Sequence, residues 1–402
     1  MEITSLRKWT GNTPLTKDFK LLLTIGALYS LSVALSNTFV NVYLWRLTEG
    51  YFQVGIYNLA IVLTQPFFFI FAGRIAKQVD RIIVFRIGVF LLALYYSTVL
   101  MLGERVSAFL WLIGGLLGMG YGFYWLAYNV LTFEITEPET RDFFNGMVGV
   151  LGSLGGMIGP LVAGFILMRY LKNGYSIIFV ISLSLFALAT ILSFFMVRRP
   201  AKGRYFFIDV LKRRKTNIHW RMITYANFSQ GLREGIFAFI INLYVFLAGR
   251  SEMALGKFAF INSLVSSIAY FFAGRFIKNS LRQKAIFLGG LFLFLAVFII
   301  LLWPNYVSFL IYGVIISTAY PVILVPYLST VYDVIGAASE AGELRIEYVV
   351  VRELFLNLGR IVSVTVFLIA ISFFEVETAT RFLLILFGAG YLLIYFFIRK
   401  IK

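Results

Sequence analysis

The chain has 402 residues, of which 60% are hydrophobic and 14% charged, with a net charge of +17 and a mean hydropathy of +0.87. An ordinary soluble domain has about 25% charged residues, so this composition excludes one and indicates a membrane protein. The positive residues lie in short loops between apolar runs, which argues against a nucleic-acid partner. No cysteine is present, which excludes disulfides and Cys-ligated metals.

Apolar runs long enough to cross a bilayer follow one another along nearly the whole chain. A spanning helix needs about 20 mostly apolar residues, and we predict twelve such helices. They are placed at 20–46, 51–73, 82–102, 107–132, 143–168, 175–197, 222–248, 254–277, 284–303, 306–332, 345–374 and 380–398. The residues before the first span are polar, so no cleavable signal is evident.

The distribution of Lys and Arg predicts the orientation of these helices. The stretch from Arg198 to Arg221 holds nine of them against one acid, Asp209. The termini and all loops on the side of this stretch hold 26 of the 36 positive residues, and the opposite loops hold seven. Because positively charged loops stay in the cytoplasm, we predict that both termini are cytoplasmic. Within the stretch, Tyr205–Leu211 is amphipathic and predicts a short helix on the membrane surface.

The two halves of the chain carry an internal repeat with an offset of 201 residues. Residues 71–74, Phe-Ala-Gly-Arg, recur at 272–275, and single matches at the same offset are Asn41 with Asn242, Tyr43 with Tyr244, Gly55 with Gly256, and Gly88 with Gly289. A constant register over four helices indicates a duplicated six-helix unit. We predict an N-terminal bundle at 1–197, a basic linker at 198–221 and a C-terminal bundle at 222–402. A ligand site is expected between the bundles, near the middle of the membrane.

The fifth predicted helix carries a pattern of small residues, Gly146, Gly155, Gly159, Pro160 and Gly164. With this pattern, which is that of motif C, the chain resembles the major facilitator superfamily over nearly all of its length, and it is identified as a bacterial, motif-C-containing member. The resemblance implies an all-α membrane fold of twelve helices in two six-helix bundles, located in the bacterial cell membrane. It also favours an export-type antiporter. Close packing of the fifth helix on a partner explains the small residues equally well.

The loop between the second and third helices resembles motif A of the family only in part. The family reads G-x-x-x-D-R-x-G-R-R, whereas this chain has Gly73, Arg74, Asp80 and Arg81, with Lys77 where the acid belongs. In the family that acid locks the outward-facing state, and the sequence leaves open whether Asp80 replaces it. Acidic residues follow the fourth and tenth helices, and they either pair with basic loops to close the cytoplasmic side or are solvated. They are Glu134, Glu137, Glu139, Asp142, Glu340, Glu343 and Glu347.

Ionisable residues inside spans are costly and therefore indicate function. The C-terminal half has five of them, Arg233, Glu234, Arg352, Glu353 and Arg360. One hypothesis is that Glu234 or Glu353 carries a proton and that a neighbouring arginine holds or releases it, since burial favours the neutral acid and an arginine favours the anion. The other hypothesis is a permanent ion pair that joins the seventh and eleventh helices.

The resemblance implies that the first, fourth, seventh and tenth helices line the cavity and that the eleventh stands beside it. Polar and aromatic residues at helical spacing predict a wall that suits an amphipathic or aromatic ligand, including a cation bound through ring faces. Ordinary packing also produces such spacing in a chain with 43 Phe and 23 Tyr. The predicted wall residues are Asn37, Asn41, Tyr121, Trp125, Tyr128, Asn227, Gln230, Asn242, Tyr320, Tyr327 and Asn357.

These features predict a secondary active transporter that works by alternating access, with proton-coupled export of an amphipathic small molecule as the preferred form. The alternatives are a lipid or glycolipid flippase on the same scaffold and proton-coupled uptake of a sugar or other nutrient. A membrane-embedded transferase is not expected, because the chain has one histidine and short outer loops. No nucleotide-binding motif, metal site or cofactor is expected. The expected partners are a small-molecule or lipid-like substrate, protons and membrane lipids, with the protein as a monomer.

Overall fold

The computed structural model describes residues 16–135, 138–170, 173–338, 340 and 342–401, without the side chains of 133, 138–143, 145, 146 and 279. This part of the chain has twelve helices long and apolar enough to cross a membrane, and no strand, as predicted. They are α1 (Lys17–Thr48), α2 (Tyr51–Gln78), α3 (Arg81–Leu102), α4 (Leu110–Ile135), α5 (Pro138–Arg169), α6 (Gly174–Ser193), α7 (Ile218–Gly249), α8 (Glu252–Phe276), α9 (Arg282–Leu302), α10 (Tyr306–Gly336), α11 (Arg345–Phe373) and α12 (Val376–Ile398). A short linker helix, Phe207–Lys212, lies between α6 and α7, and α12 is interrupted at Ala389.

The internal repeat reappears in the ends of the helices. Helices α1 and α7 both have 32 residues, and side-chain oxygens of Thr16 and Asn217, 201 residues apart, cap their N-termini. Such a cap satisfies an amide that the first turn leaves free. Both helices end at a residue in the left-handed region, Glu49 with φ 48° and Arg250 with φ 51°, again 201 residues apart. The sequence repeat is therefore also a repeat of local conformation.

Helices α1–α6 form one bundle and α7–α12 form the other, with the same pairing in each. In the first bundle α1 packs on α5 and α6, α2 on α4, and α3 on α4 and α6. In the second bundle α7 packs on α11 and α12, α8 on α10, and α9 on α10 and α12. The bundles meet mainly along two seams, α2 with α11 and α5 with α8. Two matching six-helix bundles are confirmed.

Glycines at equivalent positions allow the helices of the two seams to approach closely. A Cβ atom on Gly55 of α2 would press on Leu368 of α11, and one on Gly256 of α8 would press on the backbone of Pro160 in α5. Small residues are the usual means of close helix contact in membranes. The two seams are thus equivalent by the repeat.

Large apolar side chains cover the outside of the bundles. Phe67, Phe90, Phe165 and Phe382 are each more than half exposed, on four different helices. Water disfavours so much contiguous apolar surface, whereas lipid tails do not. The chain is a multi-pass membrane protein.

The basic linker is fastened to both bundles, and it defines what we call the linker side; the opposite side is the far side. The backbone amides of Ala201 and Gly203 donate to the carbonyl oxygens of Val79 and Lys77, at 2.9 and 3.0 Å, at the end of α2 and just beyond it. In the linker helix, Val210 is fully buried and packs in the core of the second bundle. The linker helix therefore packs on protein through this residue, and its location on the membrane surface stays a prediction from the sequence.

Candidate functional site

A cavity of about 830 Å³ lies between the two bundles. Its wall comes from α1, α2 and α4 of the first bundle and from α7, α8, α10, α11 and α12 of the second. The first bundle contributes amides and rings, such as Asn41 and Tyr121, and no charged side chain among the described residues. The second bundle contributes all five ionisable residues predicted inside the spans, which are Arg233, Glu234, Arg352, Glu353 and Arg360.

Glu234 is held by four hydrogen-bond donors from three helices. Its Oε2 atom accepts from Nη2 of Arg360 at 2.5 Å and from Nε at 3.1 Å, which joins α7 to α11. Its Oε1 atom accepts from the hydroxyl of Tyr391 at 2.7 Å and from Nε2 of Gln230 at 2.8 Å. The side chains of Glu234 and Arg360 remain 20% and 23% exposed, so the pair is open to the cavity.

Close packing of α7 on α11 brings this pair together. A Cβ atom on Gly231 would collide with the carbonyl oxygen of Leu356, and one on Gly359 would collide with that of Phe228. The amide of Ile236 donates across the same contact to Ser363 Oγ at 3.2 Å. Without side chains at these glycines the backbones approach closely. A carboxylate on one helix and a guanidinium on the other can then meet directly.

The second carboxylate, Glu353, has a simpler environment. Its Oε1 atom pairs at 2.7 Å with Nη2 of Arg352, its neighbour in the chain. Asn357, one turn further on, donates to the backbone oxygen of Glu353 and accepts from Nη1 of Arg360 at 3.2 Å. Asn357 therefore supports Arg360 from behind the cavity wall.

Arg233 lines the cavity without an acid. In the described part of the chain no carboxylate lies within 4.0 Å of it, and its Nε atom has no hydrogen-bond partner. Its Nη2 atom donates to the hydroxyl of Tyr312 at 3.4 Å, and its guanidinium lies 4.3 Å from the ring centre of Phe237 and 5.5 Å from that of Tyr391. Ring faces attract a cation, and they partly replace the missing counter-ion.

Eight of the eleven predicted wall residues line the cavity, and they are Asn37, Asn41, Tyr121, Trp125, Asn227, Gln230, Asn242 and Tyr320. Tyr128, Tyr327 and Asn357 lie behind the wall, which corrects the prediction for these three. Tyr128 stacks on Tyr124 inside the first bundle, and Tyr327 is fully buried in the core of the second. Helical spacing identifies a shared face, but the rotation of each helix in its bundle decides which face meets the cavity.

The sequence reading missed the cavity residues of α2, α8 and α12. Asn58 of α2 donates to Asn41 Oδ1 at 2.7 Å, and Tyr391 of α12 holds Glu234. The 201-residue repeat could have identified some of these cavity residues. Ile61 and Asn262 lie 201 residues apart, and both line the cavity. The same offset relates Tyr57 to Phe258, which also line it.

The small residues of α5 pack this helix on both bundles. Cβ atoms on Gly155 and Gly159 would press on the α1 backbone, at 30–31 and 34–35. A Cβ atom on Gly164 would press on the backbone of α8 at 252–253, and Pro160 contacts Gly256 of that helix. Gly146 belongs to the same helix, but its side-chain position lies outside the described residues. The glycine pattern thus supports close packing along α1 and along the seam with α8.

Contacts between the bundles close the far side of the cavity. Arg46 of α1 pairs with Glu252 of α8 at 2.7 Å, and the hydroxyl of Tyr175 donates to the same carboxylate at 3.1 Å. The ring of Trp45 in α1 packs against that of Phe246 in α7, with 6.0 Å between the ring centres. The far ends of the two bundles are therefore joined.

The α5–α8 seam opens toward the linker side. Gly156 faces Ser263 across the seam, and Gly149 and Gly274 lie on the same two helix faces nearer the linker side. A Cβ atom on Gly149 or Gly274 would meet no atom of the described residues within 4 Å. The equivalent seam, between α2 and α11, is closed on the linker side. A Cβ atom on Gly73 of α2 would press on Val350 of α11.

Asp80 joins the linker to the first bundle. Its carboxylate caps α3 by accepting from the amides of Ile82 and Ile83 at 2.7 and 3.3 Å, and it pairs with Arg198 at 3.1 Å. Burial acts to raise the pKa of Asp80, but these hydrogen bonds outweigh burial and hold the pKa below its usual value. Asp80 therefore joins the linker to the first turn of α3.

Other residues of the partial motif A also contact neighbours on the linker side. Lys77 pairs with the fully buried Glu347 of α11 at 3.4 Å, across the two bundles. Arg81 pairs with Glu134, and Arg74 donates to Gln78 of its own helix.

Three of the acidic residues after α4 and α10, Glu134, Glu340 and Glu347, pair with basic residues. Among the described residues the carboxylate of Glu343 has no ion pair, and Lys77 donates to its backbone oxygen. Arg213 of the linker pairs with Glu340 at 2.5 Å, in addition to the pairs of Glu134 and Glu347. The predicted acidic residues Glu137, Glu139 and Asp142 lie outside the residues whose side chains the structure describes.

Two matching bundles of spanning helices around a central cavity define a membrane transporter. The chain belongs to the Major Facilitator Superfamily, whose family model matches residues 21–344. It is therefore a secondary transporter by family. A Bacillus subtilis (strain 168) protein named uncharacterized protein YqgE is 52% identical over 401 residues, which cover 100% of this chain and 93% of that protein. A Geobacillus stearothermophilus protein named for the sodM 3′ region is 50% identical over 207 residues, which cover 51% of this chain and 97% of that protein.

Solved structures of the same family have the same fold. The human organic anion transporter MFSD10 (TETRAN) superposes with a TM-score of 0.69 at 16% identity, over 96% of this chain and 100% of that one. The Escherichia coli fucose:proton symporter FucP superposes with a TM-score of 0.64 at 16% identity, over 95% of this chain and 98% of that one. At this level of identity the likeness concerns the fold alone.

Proposed function

We propose that this protein is a proton-coupled transporter of an amphipathic small molecule in the bacterial cell membrane, working as a monomer by alternating access. The observation that carries the proposal is the carboxylate of Glu234, which faces the cavity and accepts hydrogen bonds from Arg360, Tyr391 and Gln230. A cavity of about 830 Å³ suits a small organic molecule, since ligand pockets have roughly 300–1,000 Å³.

Protonation of Glu234 changes what the cavity contains. The ionised carboxylate accepts from all four donors, whereas the neutral acid has less acceptor capacity and no charge to balance Arg360. Arg360 would then face the cavity as an unpaired cation, which is costly to enclose. The free energy of closing the bundles around the cavity therefore depends on whether the proton is bound.

Export is the direction that we propose from the glycine pattern of α5. These glycines pack α5 on α1 and α8, so they shape the seam that changes between the two open states. The resemblance of this pattern to motif C of export-type antiporters is what favours export, and the direction is tested in the same experiment as coupling.

The test uses proteoliposomes with a pH-sensitive dye inside and a panel of solutes that differ in charge. We expect at least one amphipathic solute to evoke a proton flux with wild-type protein and none to do so with Glu234→Gln. Glu353→Gln is the matched control, since among the described residues Glu353 pairs only with its neighbour Arg352, and it should keep most of the flux. A full flux with Glu234→Gln would contradict the proposal, and the side from which solute is taken up gives the direction.

A second candidate function is movement of a lipid-like substrate, and the opening of the α5–α8 seam favours it. The gap at Gly149 and Gly274 lies between helices at the level of one membrane leaflet, so a lipid could approach the cavity sideways. A fluorescent-lipid translocation assay in the same liposomes separates the two. Bulky Gly149→Trp and Gly274→Trp variants should slow lipid movement but leave transport of a water-soluble solute within about twofold.

A further inference from the structure

We propose that the cavity binds an anionic group of its substrate, a carboxylate, phosphate or sulfonate, at Arg233. This inference rests on the transport function proposed above and names the class of substrate. Among the charged side chains that line the cavity, three are arginines and two are glutamates. Each glutamate is already paired, Glu234 with Arg360 and Glu353 with Arg352. One positive charge, that of Arg233, is left over.

Arg233 is unusually poor in acceptors for a buried guanidinium. It is 6% exposed, and a guanidinium has five N–H donors. Within the described residues, its only hydrogen bond is the 3.4 Å contact with the hydroxyl of Tyr312, and Nε has no partner. Buried charges inside membranes are normally paired. A bound anion would supply the missing acceptors, and a carboxylate or phosphate can accept from two guanidinium nitrogens at once.

The surroundings of Arg233 suit an organic anion better than an inorganic one. The rings of Phe237 and Tyr391 lie beside the guanidinium, and Trp125 of the first bundle lines the same cavity. Rings offer apolar contact to the body of an amphipathic molecule, and the cavity of about 830 Å³ is far larger than a single phosphate needs. The unbalanced positive charge disfavours a cationic substrate, which the aromatic residues alone had left open.

Arg233 and Glu234 are neighbours on α7, so their ligands affect each other. A proton on Glu234 removes a negative charge and leaves Arg360 without its partner, which favours an anion in the cavity. Conversely, an anion at Arg233 favours protonation of Glu234. The anion and the proton are then expected to strengthen each other's binding by the same factor.

The test measures binding to the purified full-length protein in detergent by isothermal titration calorimetry. Naphthoate, naphthamide and naphthylmethylammonium share one ring system and differ in charge. Dihexanoyl phosphatidate and dihexanoyl phosphatidylcholine form a second series, which separates a lipid headgroup from a soluble anion. We expect the Kd of an anionic probe to be lower than that of its uncharged or zwitterionic counterpart by a factor of about ten or more. This factor corresponds to the free energy of one charge-assisted hydrogen bond.

Variants of two adjacent residues should act in opposite directions. Arg233→Gln should weaken binding of the anionic probe by about tenfold or more, and Arg233→Lys, which keeps the charge, should recover most of it. Glu234→Gln should bind the anion as tightly as wild type or more tightly. Naphthamide should bind all four proteins alike, within about twofold.

The inference is overturned if wild-type protein prefers neither anionic probe over its counterpart, a result that needs no variant to fold. It is also overturned if Arg233→Gln binds the anion as tightly as wild type. Binding is measured without a proton gradient, so the outcome is separate from that of the flux assay. If Glu234→Gln abolishes proton flux but Arg233→Gln leaves anion binding unchanged, the proposed function stands and this inference fails. The converse result would leave the anion site in place without proton coupling.

Discussion

The two walls of the cavity come from equivalent helices but have different chemistry. Asn41 and Asn242 lie 201 residues apart and face each other's bundle in the same cavity, as do Tyr57 and Phe258. Yet every charged residue of the described wall belongs to the second bundle. The backbone repeat reproduces the scaffold, whereas the ionisable groups are confined to one copy. The contrast indicates that one wall provides shape and neutral hydrogen bonds, whereas the other carries the charged groups of the described wall.

The largest expected effect comes from breaking the charged wall on one side only. Arg360→Met leaves Glu234 buried without its cation, and we expect a loss of about 3–5 kcal/mol of stability. The double variant Glu234→Met with Arg360→Met should recover most of that loss, because it removes both charges, yet it should show no proton coupling. The measurement is thermal unfolding in detergent together with the liposome flux. Equal destabilisation in the single and double variants would show that the unpaired charge of Glu234 does not cause the loss of stability.

A pair of tyrosine variants compares a charged with a neutral hydrogen bond. Tyr391→Phe removes a donor to the carboxylate of Glu234, and Tyr95→Phe removes the 2.7 Å bond between two hydroxyls, Tyr95 and Tyr57, in the first bundle. A hydrogen bond to a charged group contributes about 1.5–3 kcal/mol and a neutral one about 0.5–1.5 kcal/mol. We therefore expect the larger decrease in Tm for Tyr391→Phe. Equal shifts, or a larger shift for Tyr95→Phe, would remove the energetic distinction between the walls.

The smallest effects on stability are expected for carboxylates outside the membrane-spanning segments. They show how much a carboxylate contributes when it does not line the cavity. Asp80 lies between the spans of α2 and α3, and Asp80→Ala should cost about 1–2 kcal/mol at neutral pH through loss of the cap and of the Arg198 pair. Because the pKa of folded Asp80 is below its usual 3.8, this stability is present above that pH and is lost as the pH falls through the folded pKa. The Tm difference between wild type and variant should shrink accordingly.

Glu134, just beyond the span that ends at Thr132, provides the control for Asp80. Burial raises the pKa of Glu134, and Arg81 offsets this only in part. Its charged form is therefore less favoured in the folded protein than in the unfolded chain. We expect Glu134→Gln to leave Tm at neutral pH unchanged or slightly higher. A loss as large as that of Asp80→Ala would contradict the assignment of these two environments.

The fold could be predicted because bilayers impose simple requirements on sequence. Helix length and hydropathy gave the number of spans, and the 201-residue offset gave two equivalent bundles, which the cap residues Thr16 and Asn217 follow. The charged residues of the site were also predictable, since ionisable side chains inside spans are rare. The cytoplasmic position of the termini stays a prediction from the charge distribution.

The pairing of the charged residues in the site could not be predicted from the spacing of residues along a single helix. Spacing placed Glu353, Asn357 and Arg360 on one stripe of α11, but Arg360 pairs with Glu234 of α7. That choice depends on how closely α7 and α11 cross at Gly231 and Gly359, and spacing along one helix carries no such information. The isolation of Arg233 likewise appears only once the neighbours from α10 and α12 are in place.

The central claim is that the charge of Glu234 biases the motion of the two bundles, and a distance across the open seam tests it most directly. The chain has no cysteine, so Gly149→Cys and Gly274→Cys can be spin-labelled alone, at positions where a side chain meets no atom of the described residues within 4 Å. Labels at Gly149→Cys and Leu188→Cys within one bundle serve as the control. Because Arg360 without its partner disfavours closure, we predict that Glu234→Gln shifts the distances across the seam to longer values and leaves the control unchanged. Identical distributions in Glu234→Gln and wild type would contradict the claim.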